Sequence, residues 1–367
     1  MLPLLPTPGR LAAASRNVVE SAVRGGLADL RPTPSEVIDD APQRLVVRYD
    51  RGEDGPPRQG LPVLLVPPLA APPDCFDLRR GCSLAEHLVS LGHPTYLVDY
   101  GAISFADRAL GLEHLVRHVI PDAVARVRED AGGRPVQLVG WSLGGIMALL
   151  AAAAATDRDA IASVAMVGSP FDFRQVRLLA PFRVPAMVGD GVIGTTLYRM
   201  LGTAPAPLVR RAFELTSIDR KLTKPVVTLA HLHERDWLAH QQAVDDYMTR
   251  MLAYPGRSFG QIYHRFFRVN EMVSGSLLLD SEPIRLADVR VPVLSVAGMD
   301  DVLAPRAAVH AIADLVPNAP ALRLTSAPGG HLGVLTGRHA SATTWRHLDL
   351  HLFETTRAVG AGTALAP

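Results

Sequence analysis

Ser142 stands in the run Gly140-Trp141-Ser142-Leu143-Gly144-Gly145, between a short β-prone stretch at 136–139 and an Ala- and Leu-rich stretch at 143–155. A G-x-S-x-G run between strand and helix is the setting that holds a serine hydroxyl on a sharp turn as a nucleophile. Glycines at 140 and 144 leave room for the strand and helix backbones to close on each other. Such a serine needs a base to take its proton and an acid to orient that base. His331 supplies a base type within Pro328-Gly329-Gly330-His331-Leu332-Gly333, after a largely apolar run at 321–324. Asp300 and Asp301 follow the apolar run at 291–297. Asp301, four residues before Pro305, is the expected acid, with Asp300 as its competitor. The N–H of Leu143, at a helix start, is one expected oxyanion donor. Leu69 is the other, because Pro67 and Pro68 before it have no N–H to give.

Other candidate chemistry is weaker. Residues 189–194 match G-x-G-x-x-G but have no βαβ unit around them, so a dinucleotide site is not expected there. His347 and His351 are spaced i, i+4 without the H-E-x-x-H pattern, and an exposed helix face is the expected reading. No cofactor and no metal ion is expected.

The elements that must position these residues read as short apolar runs at 44–49, 61–66, 95–98, 136–139, 163–167, 291–297 and 321–324. Continuous apolar runs of this length suit strands of a mostly parallel sheet covered on both faces. Helical stretches at 83–91, 106–130, 143–155, 305–315 and 342–355 alternate with them, which gives a doubly wound α/β architecture. In it the order serine, acid, histidine is that of the α/β-hydrolase fold. The alternation breaks between about 171 and 288, where periodic Met, Leu, Phe and Tyr predict an inserted, mainly helical cap. The expected organisation is an N-terminal extension at 1–43 and a first core part at 44–170. The cap at 171–288, a second core part at 289–357 and a flexible tail at 358–367 complete it. Within the loop before the helix and within the cap, Trp141, Met187, Tyr263, Phe267 and Met272 are candidates for an acyl pocket, since ligand sites are mostly apolar and concave.

Composition bounds the function classes. Over 367 residues, 37 basic side chains offset 36 acidic ones, so no global field draws nucleic acid. The longest apolar run, 144–155, is too short to span a bilayer. The N-terminus lacks a charge ahead of its short apolar part and is broken by prolines, a poor signal peptide. A cytoplasmic protein follows as the expectation, with Cys75 and Cys82 as reduced thiols. The expected partner is a small acyl ester or thioester, and a homodimer is compatible with the sequence.

Taken together, the motifs resemble the poly(3-hydroxyalkanoate) synthase branch of the α/β hydrolases, from about residue 62 to the last helix. The matching stretches are Val66-Pro67-Pro68, Phe76-Asp77-Leu78-Arg79, Ser83-Leu84, Leu91-Gly92-His93 and Gly144-Gly145. They continue with Asp172-Phe173, Asp301-Val302-Leu303-Ala304-Pro305, Pro328 to Gly333, and the segment 270–292 as the end of that family's cap. The resemblance implies a cysteine nucleophile where this chain has Ser142, and a histidine where it has Val302. A thiolate is both a good nucleophile and a good leaving group, so the serine favours hydrolysis of an apolar acyl ester or thioester. Acyl transfer from acyl-CoA or hydroxyacyl-CoA is the second reading, with Arg174, Arg177, Arg183, Arg210 and Arg211 as candidates for phosphate contact. A non-catalytic ligand-binding protein is the third.

Overall fold

The computed structural model describes residues 7–50, 52, 55, 57, 59–176, 203–215, 218–280 and 282–363. Eight strands form the central sheet: β1 (Ser35–Ala41), β2 (Arg44–Tyr49), β3 (Val63–Val66), β4 (Thr95–Asp99), β5 (Val136–Trp141), β6 (Ile161–Val167), β7 (Val293–Gly298) and β8 (Leu322–Ala327). Their order across the sheet is β1-β2-β4-β3-β5-β6-β7-β8. β1 pairs antiparallel with β2 and β2 antiparallel with β4, and every pairing beyond is parallel.

The apolar runs are continuous because both faces of the sheet are covered. Leu64, Val66, Leu138, Val164 and Met166 enter one core cluster, and their neighbours Val63, Leu65, Val139, Ala165 and Val167 enter the other. Successive side chains of a strand point to opposite faces, so a strand buried twice needs apolar residues at every position. On the first face lie α3 (Ile120–Asp130) and α4 (Leu143–Ala154), the latter buried from Leu143 through Ala153. On the second lie α2 (Leu84–Ser90) and α10 (Thr344–Thr363), which contribute Leu84, Leu88, Trp345, Leu348 and Leu352. α2 is capped by Ser83, whose Oγ accepts from the Glu86 N–H. The long helical stretch before α3 is continuous through a π-helical turn at Leu115–Val119, immediately ahead of Pro121, whose ring nitrogen has no hydrogen to donate back along the helix.

Several boundaries differ from the sequence reading. β1 lies inside the segment assigned to an extension. Its sequence, SEVIDDA, is too polar to read as a strand, and ion pairs supply what apolar burial does not. Asp39 pairs with Arg44 and Arg126, and Glu36 with Arg48. Ahead of it, α1 (Pro8–Arg24) starts at the Thr7 cap and stops at Gly25, whose φ of 72° is the left-handed conformation of a helix end. α10 runs past residue 357 into the assigned tail. The expected helix at 305–315 divides into α8 (Arg306–His310) and a 3₁₀ turn, and the short α9 (Gly333–Thr336) follows before α10.

Of the insert after β6, the described part holds α5 (Ala206–Leu215), α6 (Ile218–Ala230), α7 (Arg235–Thr249), a π-helical turn at Ile262–Arg268 and a hairpin, Ser276–Leu279 with Glu282–Arg285. Among the described residues no helix is long and apolar enough to cross a membrane.

Candidate active site

The strand registers bring five loop starts to one edge of the sheet. Val66 lies opposite Gly140, Trp141 opposite Val167, Val167 opposite Val296, and Gly298 opposite Ala327. The carboxyl end of a parallel sheet is where loops from several strands can meet on one ligand. Ser142 follows β5, Asp301 follows β7 and His331 follows β8.

Ser142 occupies φ 54°, ψ −124°, a conformation that L-residues rarely adopt. It costs about 1–3 kcal/mol and persists where surrounding contacts over-determine it. Here the Ser142 N–H donates to Val167 O at 2.8 Å, and its carbonyl accepts from Ser169 Oγ at 2.7 Å. The flanking glycines admit the turn. A Cβ at Gly140 would lie 2.5 Å from Gly145 N and Cα, and one at Gly144 would collide with Val66 O and come within 2.7 Å of Pro67 O. The same crowding sets the loop after β3 against the start of α4. Leu69 lies buried in that loop, which Tyr100 also holds through a 3.2 Å bond from its hydroxyl to Pro67 O. The N–H of Leu143 is the first of α4 and has no intrahelical acceptor.

Ser142 Oγ and His331 Nε2 are 2.8 Å apart, and His331 Nδ1 and Asp301 Oδ2 also 2.8 Å. Asp301 is buried, and its Oδ1 accepts from the N–H groups of Leu303 and Ala304, both at 2.8 Å. Burial pushes its pKa up, but the charge and hydrogen bond of His331 and the two N–H donors outweigh burial and hold the carboxyl below its ordinary value. Asp300, the competing carboxylate, is exposed and only its N–H is engaged, by Gly329 O at 3.1 Å. The three side chains therefore form one hydrogen-bonded line, an arrangement that can pass a proton from hydroxyl to imidazole while the carboxylate fixes the ring tautomer.

Trp141 is nearly buried. Its Nε1–H donates to His331 O at 3.0 Å and its ring lies 5.2 Å from the imidazole, so it holds the histidine loop. Met272 is fully buried in the apolar core. Tyr263 and Phe267 are half-buried, and Phe267 lies against Phe173, which stacks on Phe266 at 5.1 Å. Met187 and the run 189–194 lie outside the described residues.

Sequence reasoning missed the roles of Gly168, Ser169 and Asn270. A Cβ at Gly168 would face Asp301 and His331 at 3.5–3.6 Å, Ser169 bonds the Ser142 carbonyl, and Phe171 and Asp172 donate N–H to Ala308 O. Asn270 then joins the start of the insert to a point ahead of its closing hairpin: its Oδ1 accepts from the Phe173 N–H and its Nδ2 donates to Asp172 Oδ1, each at 2.8 Å. The run Gly168-Ser169-Pro170 directly after a strand was the available signal.

His351 is buried, not on an exposed face, and its Nε2 has no hydrogen-bond partner. His347 Nε2 meets Thr325 Oγ1 at 3.1 Å. Both turn inward because α10 packs on the sheet along the side that carries Leu348 and Leu352. Cys75 and Cys82 are free and buried, and burial pushes both thiols up. Among the described residues no group of three or more His, Cys, Asp or Glu could hold a metal ion.

The sequence profile of the alpha/beta hydrolase fold family matches residues 62–338. The chain is 26% identical over 317 residues to the poly(3-hydroxyalkanoate) polymerase subunit PhaC of Allochromatium vinosum, covering 86% of this chain and 87% of that protein. It is 23% identical over 318 residues to the subunit of the same name from Haloferax mediterranei, covering 85% of this chain and 62% of that longer protein. Among solved structures, the monoacylglycerol lipase of Paleococcus ferrophilus aligns with a TM-score of 0.52 at 15% identity, over 85% of this chain and 99% of that one, a likeness of fold alone.

Proposed function

Because this chain belongs to the alpha/beta hydrolase fold family, we propose that it is a serine hydrolase that cleaves a carboxylic ester or thioester with an apolar acyl group. The observation that carries this reading is the line Ser142 Oγ–His331 Nε2 and His331 Nδ1–Asp301 Oδ2, 2.8 Å at each step. Ser142 Oγ attacks the acyl carbon while His331 takes its proton. The N–H groups of Leu143 and Leu69 meet the oxyanion of the tetrahedral intermediate. His331 then protonates the leaving alcohol or thiol, which departs and leaves acyl-Ser142. In the second half, water gives its proton to His331, adds to the acyl carbon, and the acid is released as Ser142 regains its hydrogen.

A fluorophosphonate probe and a panel of esters and thioesters test the assignment. Labelling and turnover by the native protein, both abolished in Ser142→Ala, are the expected results. Labelling that persists in the variant removes Ser142 as nucleophile, and a native protein that never labels points to ligand binding without catalysis.

Acyl transfer is the second reading, favoured by the likeness to polymerase subunits over most of the chain. Against it stands the serine, whose ester is harder than a thioester for a second acyl acceptor to displace. Mass spectra of products from a 3-hydroxyacyl-CoA separate the two. Free acid supports hydrolysis, and a chain of linked acyl units supports transfer.

A further inference from the structure

Ser169 carries a fully buried hydroxyl to which the mechanism above gives no part. Its Oγ donates to the Ser142 carbonyl at 2.7 Å, a shorter bond than those the same oxygen accepts from the N–H groups of Gly145 and Ile146, at 3.1 and 3.4 Å. The latter two are bonds of a first helical turn, made by α4 to its own cap residue. The hydroxyl comes from outside the helix, and the chain is arranged to bring it there. On one side of Ser169 the Gly168 N–H donates to Val296 O in β7, and on the other the Phe171 N–H donates to Ala308 O in α8, both at 2.8 Å. Pro170 confines Ser169 to extended backbone. A Cβ at Gly145 would collide with Ser169 Oγ. Gly145 lies one residue past the G-x-S-x-G run, and its missing side chain is what admits the hydroxyl.

The peptide unit that joins Ser142 to Leu143 is trans and planar, so its carbonyl and its N–H point in opposite directions as one rigid plate. That N–H is the oxyanion donor at the start of α4. The Ser142 ψ of −124° sets the rotation of the plate, in a region that L-residues rarely occupy. A bond that holds the carbonyl at one end therefore holds the aim of the donor at the other. It also strengthens that donor, because an amide whose oxygen accepts a hydrogen bond is polarised along its length. Preorganised donors of this kind act on charge that develops only in the transition state.

We propose that Ser169 is a positioning residue for the oxyanion hole, acting through the 142–143 peptide plane on the Leu143 N–H without touching substrate. The inference rests on the serine-hydrolase reading. It concerns an interaction made with the tetrahedral intermediate and not with bound substrate, so its loss lowers kcat and leaves KM where it was.

Ser169→Ala in the full chain tests it, by hydrolysis of the best ester of the panel and by the rate of fluorophosphonate labelling. The substitution removes one atom, and the Ser142 carbonyl keeps its two helix N–H donors, so a thermal melt close to native is expected. The expected results are a kcat and a labelling rate each about tenfold below native, short of the roughly 10²–10³ lost with a whole oxyanion donor. KM should stay unchanged. The pH profile of kcat should keep its native shape, since the Ser142–His331–Asp301 line is left intact. A kcat and labelling rate within about twofold of native overturn this proposal alone. So does a loss that appears as a raised KM, which makes Ser169 part of substrate binding, or as a displaced pH profile, which makes it part of the proton relay. A native protein that neither labels nor turns over any ester overturns the hydrolase reading, and this inference with it.

Discussion

Replacing Asp301 by asparagine removes a charge and almost no volume, and the donors around it dictate how the amide must sit. Oδ1 accepts from Leu303 and Ala304, and Oδ2 from His331 Nδ1. An amide keeps one acceptor oxygen. Turning its NH₂ toward Leu303 and Ala304 would leave buried donors facing a donor, at about 1–3 kcal/mol for each unmet group. The oxygen therefore stays with the two backbone N–H groups, and the NH₂ faces His331. Nδ1 must then accept, so the ring proton moves to Nε2, where it meets Ser142 Oγ and the hydroxyl loses its base. The same tautomer error in a Ser-His-Asp relay costs about 10⁴ in kcat, or roughly 5 kcal/mol of barrier. Steady-state hydrolysis of the best ester in the panel reads the loss, and a thermal melt checks the fold. Asp300→Asn, at an exposed carboxylate, is the control and should retain native activity. If Asp301→Asn stays within about tenfold of native kcat while folded, the carboxylate does not set the His331 tautomer and the reasoning fails.

Three further outcomes follow from particular contacts. Burial pushes His351 down to about 4 from an ordinary 6.5, with Arg323 lowering it further and Glu354 opposing. The neutral ring is favoured only in the folded chain, so its contribution is full above pH 6.5 and is lost as pH falls toward 4. Between pH 8 and pH 5 that loss is about 2 kcal/mol; urea titrations of His351→Leu should show a correspondingly flatter pH profile, and an unchanged one refutes the assignment. Gly140→Ala should lower stability by about 1–3 kcal/mol, because its Cβ meets backbone that cannot rotate away, and a urea midpoint equal to native would contradict the close approach. Trp141→Phe should lower kcat several-fold with KM little changed, through the loss of about 1 kcal/mol of hydrogen bonding to the His331 carbonyl. A rise in KM alone would make Trp141 a substrate contact instead.

The core strands were legible because doubly buried strands demand apolar runs and each run ends at a Gly- or Pro-marked loop. Those loops carried Ser142, Asp301 and His331 with residue types and an order that could be read in advance. β1 escaped because an edge strand with one solvated side needs no such run, and its carboxylates are met by arginines of the next strand and of α3. Trp141 read as pocket lining because its apolar bulk is visible in the sequence, while the bond from its indole N–H to a carbonyl 190 residues away is not. Met272 is buried in the apolar core, and periodicity marks a buried methionine without saying which space it fills. Ser169 binds a main-chain carbonyl and Asn270 a main-chain N–H as well as Asp172, and nothing in their residue types announces such partners across the fold.

The Asp172–Asn270 contact ties the two ends of the stretch 172–270, most of the insert, within one hydrogen bond of each other. A chain segment whose ends are already pinned together can lengthen, shorten or refold with little strain on what it leaves behind, since each doubling of a flexible excursion costs only about 0.6 kcal/mol in closure entropy. The scaffold can thus exchange that stretch while the sheet stays put, with new excursions grafted onto one junction.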